Sequence, residues 1–249
     1  STGEVKAIVG GRGDKTASKT LNRATDTTRQ PGSTFKILAA YSAALDAGGL
    51  TLASVQDDAP YTYAGANGKS VNNYDRRYRG FTTLREAITD SINIVTVKTL
   101  AQAGVSLGWQ YVQEYGFTTV DSRDMNEALA LGGITQGVSN LVRTAAYAAI
   151  ANQGTYIKPK FYTKILDHDG NVLIDNTTPE SHTVIKDTTA WLLTSAMEDV
   201  MTSGTGTSAY FGSSMAQAGK SGTTTSSRDA LFAGYTPYYT CAVWGGYDD

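Results

Sequence analysis

The sequence predicts an α/β fold: a sheet fed by strands from both ends of the chain, around a mostly helical middle. Three observations carry this. "EVKAIVGG" (4–11) alternates polar and apolar residues before breaking at glycines, and the C-terminal part, "GKSGTT…LFAGYTPYYTCAVWGGY", reads as two or three strands with "TP" as a turn. Between them lie apolar stripes at helical spacing. No repeat or low-complexity linker divides the 249 residues, a length that suits one or two packed units.

After the first strand comes a polar segment, 13–30, and then "PGSTFKILAAYSAALDAGG", whose stripe and Gly-Gly stop predict a helix over 33–47. Residues 51–82 are rich in Tyr, Asn and Gly and read as loop. "TLREAITDSINIVTVKTLAQAG" (83–104) predicts two helical pieces with a break near Asp90–Asn93, and "LGWQYVQEYGF" a short helix. "GVSNLVRTAAYAAIANQG" (137–154) predicts a further helix with a glycine stop. "KPKFYTKILDHDGNVLIDNT" predicts a hairpin turning at Asp169-Gly170, and a helix follows over 187–203.

Net charge is −2, so no strong field draws the chain to nucleic acid or acidic lipid. Charged residues make up 18%, below the usual figure of about 25%. Cys241, in the apolar "TCAVWGG", is the sole cysteine; it reads as a buried spacer and excludes a disulfide within the chain. No signal peptide is visible, and no apolar run reaches the roughly 18 residues needed to span a bilayer. The abrupt start and an end inside a predicted strand suggest a fragment of a longer protein.

"GKSGTTTS" (219–226) invites two readings. A phosphate-binding loop needs G-x-x-x-x-G-K-[ST] between a strand and a helix. Counting back from Gly219 places Ser214 at the first glycine, "YFGSSMAQA" is a poor strand, and no helix follows. "GGRGDKT" (10–16) fails too, because Asp14 stands where glycine is needed and would repel phosphate. Its "RGD" (12–14) reads as a chance tripeptide.

The second reading makes Lys220-Ser221-Gly222-Thr223 a cleft-lining strand. Gly222 lets substrate lie against the strand edge, Lys220 brings positive charge, and the Ser221 and Thr223 hydroxyls suit a carboxylate. Its partners lie upstream. In "PGSTFK", Ser33 and Lys36 share a face of the first helical turn, so a neutral lysine would lie beside a serine hydroxyl and accept its proton. Ser33 at the helix start also offers its N–H to an oxyanion. In "DSINI", Ser91 can relay a proton and Asn93 can bind a substrate amide. Each motif has a plain structural alternative: a helix N-cap with a solvated lysine, or a Ser/Asn cap on a second helix. Specificity comes from their order, with 58 residues from Ser33 to Ser91 and 129 from Ser91 to Lys220.

This set of motifs resembles the one that marks serine β-lactamases and penicillin-binding proteins. Over nearly its whole length the chain resembles the transpeptidase domain of class A (bifunctional) penicillin-binding proteins. "TGEVKAIVGGR", "NRAT…RQPGSTFK", "LALGGITQGVSNLVRTAAYAAIANQGTY" and "MTSGTGTSA" are similar to the segments that flank the motifs in that family. The resemblance implies a three-layer sandwich of a mainly antiparallel sheet covered by helices, with an inserted mostly helical subdomain. Residues 1–249 would be the transpeptidase domain, with the glycosyltransferase domain, membrane anchor and C-terminal end lying outside it.

It also implies roles. Ser33 would be the acyl-accepting nucleophile and Lys36 its base, with Ser91, Asn93 and Lys220 lining the cleft. Ser221, Gly222 and Thr223 would bind substrate, and the N–H groups of Ser33 and Thr223 would form the oxyanion hole. The partners implied are peptidoglycan stem peptides ending in D-Ala–D-Ala and β-lactam antibiotics, with no cofactor and no metal. The location implied is the outer face of a bacterial cytoplasmic membrane. Three departures stand out: Ile92 at the centre of the second motif, Ser221 for the commoner Thr, and "FKIL" where many relatives have "FKP".

A D,D-carboxypeptidase, a serine β-lactamase or a non-catalytic β-lactam sensor would share the site. A β-lactamase often carries a deacylating Glu in E-x-x-x-N, but the best candidate, "EALAL" (127–131), ends in Leu131. His168 and His182 fall in a hairpin turn and a polar loop, where they read as surface residues and not as triad or zinc residues.

Overall fold

Residues 34–44 are buried without interruption, so the segment that begins at the candidate nucleophile is the central helix. In this computed structural model, which describes residues 2–64, 68–224 and 227–248, it starts as a 3-10 turn, Gly32–Thr34. It then widens to a π-helical turn over Ile37–Tyr41 and ends as α1 (Ser42–Asp46). "FKILAAYSAAL" has no polar stripe because it has no solvent-facing side. Its hydroxyls are paired internally: Ser42 Oγ donates to the Ile37 carbonyl at 2.9 Å, and Tyr41 bonds Thr96 at 2.8 Å.

The 51–82 stretch is more ordered than a loop. Strands β1 (Val55–Asp58), β2 (Tyr61–Thr62), β3 (Ser70–Val71) and β4 (Gly80–Thr83) form two small antiparallel ladders, β1–β4 and β2–β3. Their pairing joins residues far apart in sequence, and strands this short show no alternation to read. Residues 65–67 lie outside the described residues.

The helical middle follows the prediction. α2 (Leu84–Thr89) opens with a Thr83/Glu86 capping box. α3 (Asn93–Ala103) follows the expected break, and α4 (Val105–Glu114) lies beyond it. α5 (Asn140–Ala151) starts at Ser139, whose Oγ accepts the Val142 N–H. β5 (Thr155–Ile157) pairs with β8 (Ser181–Thr183), enclosing the exposed hairpin β6 (Lys164–Leu166) and β7 (Val172–Asp175), which turns through Gly170 at φ +85°. α6 (Asp187–Thr202) leads to the main sheet.

That sheet is antiparallel, in the order β11 (Thr240–Gly246), β10 (Asp229–Tyr235), β9 (Ala218–Thr223). α5 packs against β10 and β11, and α6 against β9. The α/β class, the antiparallel sheet and the helical middle are those expected. Thr225 and Ser226, the end of "GKSGTTTS", lie outside the described residues.

Two expectations need correction. Residues 4–11 do not form a strand; the segment makes only an isolated parallel bridge between Glu4 and Lys160. Its backbone partners lie off the sheet: Val5 N–H donates to Lys160 O and Arg23 N–H to Gly10 O, each at 2.9 Å. A groove of about 1440 Å³ lies between residues 2–12 and β11, and Val9 is 79% exposed. Alternation is a local property, whereas a strand needs a neighbour. Cys241 is likewise exposed and not a buried spacer.

Candidate active site

The turn bearing Ser33 is clamped from several sides. Thr34 Oγ1 donates to Pro31 O, and the buried Tyr147 hydroxyl donates to Thr34 O, both at 2.6 Å. The Gln30 side chain accepts the Ile134 N–H at 3.1 Å and donates to the Ile134 carbonyl. Gly32 sits at φ +52°, and a Cβ there would lie 2.9 Å from Thr223 O. A Cβ on Gly222 would lie 2.9 Å from Thr34 Cγ2. Two glycines therefore let the nucleophile turn and strand β9 touch, which sets Ser33 beside Thr223. Ser33 is half-buried, and its hydroxyl has no hydrogen-bond partner among the described residues.

Lys36 is fully buried. Its Nζ donates to Ser91 O at 2.6 Å, Ser91 Oγ at 3.1 Å and Asn93 Oδ1 at 2.6 Å. The amine's hydrogen bonds all run to the second motif. Burial, reinforced by the positive charge of Lys220, holds its pKa well below the ordinary 10.5. As a neutral amine it can keep its two short bonds and leave its lone pair for a proton.

Ser91 reaches Lys36 through its backbone. It sits at φ +56°, the left-handed region that serine rarely adopts, which breaks the chain between α2 and α3. There its carbonyl and hydroxyl both bond the lysine. The alternative reading of Ser91 and Asn93 as a cap on this helix does not hold: the α3 N-cap is Ile92, which offers no side-chain bond. Asn73, from the distant 51–82 stretch, takes that role by accepting the Asn93 and Ile94 N–H groups at 3.0 and 3.2 Å.

Across the cleft, Gly219–Ser221 lie within β9 and not in a loop feeding a helix, so the phosphate-loop reading has no structural support. Lys220 is fully buried, and its amine donates to the Ser221 carbonyl at 3.3 Å. Burial pulls its pKa down to about 7. Ser221 Oγ donates to Thr205 Oγ1 at 2.7 Å.

The structure thus brings Ser33, Lys36, Ser91, Asn93 and Lys220–Thr223 to one cleft. Sequence reasoning missed Asn73, Tyr147 and Thr205. "VNNYD" and the tyrosine of α5 carry no spacing signal, and Thr205 lay unremarked in the flanking "MTSGTGTSA". Among the described residues, no carboxylate bonds Ser33, Lys36, Ser91 or Asn93. Glu127 instead accepts the Tyr61 hydroxyl at 3.0 Å and the Ala64 N–H at 2.9 Å. No three His, Cys, Asp or Glu residues are grouped to hold a metal ion among the described residues. His168 is exposed beside Asp169, and the His182 ring meets the Glu114 carbonyl at 2.7 Å.

Residues 1–245 match the family described as "Penicillin binding protein transpeptidase domain". The chain is 41% identical to penicillin-binding protein 1F of Bacillus subtilis (strain 168), across 99% of this chain and 34% of that protein. It is 38% identical to penicillin-binding protein 1A of Clostridium acetobutylicum, across 99% of this chain and 31% of that protein. The chain therefore spans about a third of the length of these curated relatives. Among solved structures, penicillin-binding protein 1A of Haemophilus influenzae superposes with a TM-score of 0.81 at 28% identity, covering 92% of this chain and 39% of that one. PonA1 of Mycobacterium tuberculosis, solved in complex with penicillin V, superposes with a TM-score of 0.77 at 25% identity, covering 92% of this chain and 62% of that one.

Proposed function

The chain belongs to the penicillin-binding protein transpeptidase family, and from that premise we propose that it is the D,D-transpeptidase domain of a class A enzyme that cross-links peptidoglycan. The observation that carries this reading is Lys36. A buried amine, held toward neutrality, lies one helical turn from a serine whose hydroxyl has no partner among the described residues, and in contact with both polar residues of the second motif.

Ser33 Oγ attacks the carbonyl of the penultimate D-Ala, and its proton passes to Lys36. The N–H groups of Ser33 and Thr223 take the oxyanion, their adjacency set by the Gly32–Thr223 contact. As the C–N bond breaks, the terminal D-Ala leaves as an amine, with the proton delivered from Lys36 through the Ser91 hydroxyl 3.1 Å away. The Ser33 ester then meets an amine from a neighbouring stem. Ser91 and Lys36 take a proton from it, the cross-link amide forms, and Ser33 is regenerated. Lys220, Ser221 and Thr223 hold the terminal carboxylate of the donor. A β-lactam follows the first half of this path: its ring amide opens on Ser33, and the leaving amine stays tethered in the adduct. By analogy with its relatives, the full-length protein works at the cell envelope, anchored to the outer face of the cytoplasmic membrane by a segment outside this chain.

The chemistry is tested by incubating the protein with a stem peptide ending in D-Ala–D-Ala and an amine acceptor. Transpeptidation predicts a new amide-linked product that outweighs simple release of D-Ala. Release of D-Ala with no transfer at any acceptor concentration would make the enzyme a carboxypeptidase.

A further inference from the structure

Resting on that reading, we propose that Asn73, oriented by the buried carboxylate of Asp58, is a positioning residue that aims the Asn93 side chain at Lys36. Helix α3 lacks a side-chain cap of its own, so its first N–H groups need an acceptor from elsewhere. Asn73 Oδ1 supplies it, bonding the Asn93 and Ile94 N–H groups at 3.0 and 3.2 Å. Asn73 is 2% exposed, and its Nδ2 donates to the two Asp58 oxygens at 2.8 and 3.0 Å and to the Arg77 carbonyl at 2.8 Å.

This network admits one orientation. A flipped Asn73 amide would face its oxygen to the Asp58 carboxylate and its N–H groups to those of α3. Asp58 is fully buried at the end of β1, where it pairs with Gly80 across the β1–β4 ladder. Its Oδ2 also accepts the Arg79 N–H at 2.9 Å, and the Arg79 guanidinium lies 3.8 Å away. The neighbouring Asn72 completes the device: its carbonyl accepts Asn93 Nδ2 at 2.7 Å, leaving Asn93 Oδ1 turned to Lys36 Nζ at 2.6 Å. Asn93 is thus held at its backbone by Asn73 and at its side chain by Asn72. The two-stranded ladder β1–β4 places a carboxylate behind the second motif, and Asp58, Asn73, Asn93 and Lys36 form one line of hydrogen bonds into the cleft.

The test follows benzylpenicillin acylation of the whole chain against pH, with folding checked by thermal unfolding. The variants are Asn73→Ala, Asn73→Asp and the exchanged pair Asp58→Asn with Asn73→Asp. Asn73→Ala is expected to slow acylation about 10- to 100-fold, the scale of a misplaced catalytic group. It also shifts the acid limb of the rate profile to lower pH, because an Asn93 oxygen turned away no longer favours the protonated lysine. Lys220, the charged neighbour of Lys36, is unchanged in every variant. Asn73→Asp sets two carboxylates together and acylates more slowly still. The exchanged pair restores a donor–acceptor contact and recovers most of the rate. In it the new amide at position 58 donates to the new carboxylate at position 73, which still accepts from α3.

A role confined to folding would move the melting temperature and leave the acid limb in place. Wild-type rate and pH profile in folded Asn73→Ala would overturn the proposal. So would an exchanged pair as slow as Asn73→Asp, the comparison that decides if Asn73→Ala does not fold. Failure of the wild-type chain to acylate at all would instead overturn the transpeptidase reading. That outcome is separable, because the Asn93 and Ile94 amides would still exchange faster with solvent in Asn73→Ala.

Discussion

Lys220 is a buried amine with a single long hydrogen bond among the described residues, and burial lowers its pKa from 10.5 to about 7. Replacing it with methionine, which has a similar shape and no charge, measures what that burial takes from stability. The unfolded chain keeps this proton up to about pH 10.5 and the folded chain only up to about pH 7. Between those values the unfolded state binds more protons, so stability rises with pH across the window. The penalty is whole below pH 7 and gone above 10.5. At about 1.36 kcal/mol for each pH unit, the gap sets an upper limit of about 5 kcal/mol.

Allowing for imperfect packing, Lys220→Met should stabilise the fold at pH 6 by about 2–4 kcal/mol. In a domain of this size that raises the melting temperature by roughly 5–15 °C. The advantage should shrink as pH climbs toward 10. The same variant should acylate with penicillin at least about 100-fold more slowly, since Lys36 loses the charge that helps keep it neutral and the substrate carboxylate loses its cation. Thermal unfolding at pH 6 and 9.5, with acylation rates alongside, checks both halves. A variant less stable than wild type at pH 6, or an advantage of equal size at the two pH values, would show that burial of the Lys220 charge does not limit stability.

Two further substitutions probe the nucleophile turn. Gly222→Ala places a methyl 2.9 Å from Thr34 Cγ2 and 3.2 Å from Thr34 N. It should cost about 1–3 kcal/mol in urea unfolding and slow acylation about 10- to 100-fold by displacing Ser33; unchanged acylation would show that the contact is not needed. Tyr147→Phe removes the buried hydroxyl that donates to the Thr34 carbonyl and should cost about 0.5–1.5 kcal/mol in the same assay, with a smaller effect on acylation.

The legible parts of this protein were those encoded at short range. Ser33 and Lys36 share a helical turn, Ser91 and Asn93 flank a helix break, and Lys220–Thr223 form a continuous strand, so each motif could be read locally, while joining the three into one site rested on the family resemblance. Helix limits were legible for the same reason: Gly48-Gly49 stops the central helix and Ser139 caps α5. What escaped depends on a distant partner. The 4–11 segment alternates like a strand but bonds Lys160 and Arg23. The ladders within 55–83 join residues up to 28 apart in sequence, such as Val55 with Thr83. Helical spacing gave no sign that the Lys36 amine would bond Ser91 and Asn93. Asn73 caps a helix whose own sequence supplies no side-chain cap, and nothing near either end announces the match. Cys241 was judged by its apolar neighbours, which could not tell which face of β11 it occupies.

The central claim is that Ser33 is the residue acylated. Intact mass and peptide mapping after exposure to benzylpenicillin test it most directly. The account predicts one penicillin added per chain, mapped to the peptide bearing Ser33, persisting for many minutes, and absent from Ser33→Ala. An adduct on another residue, or equal labelling of Ser33→Ala, would contradict it.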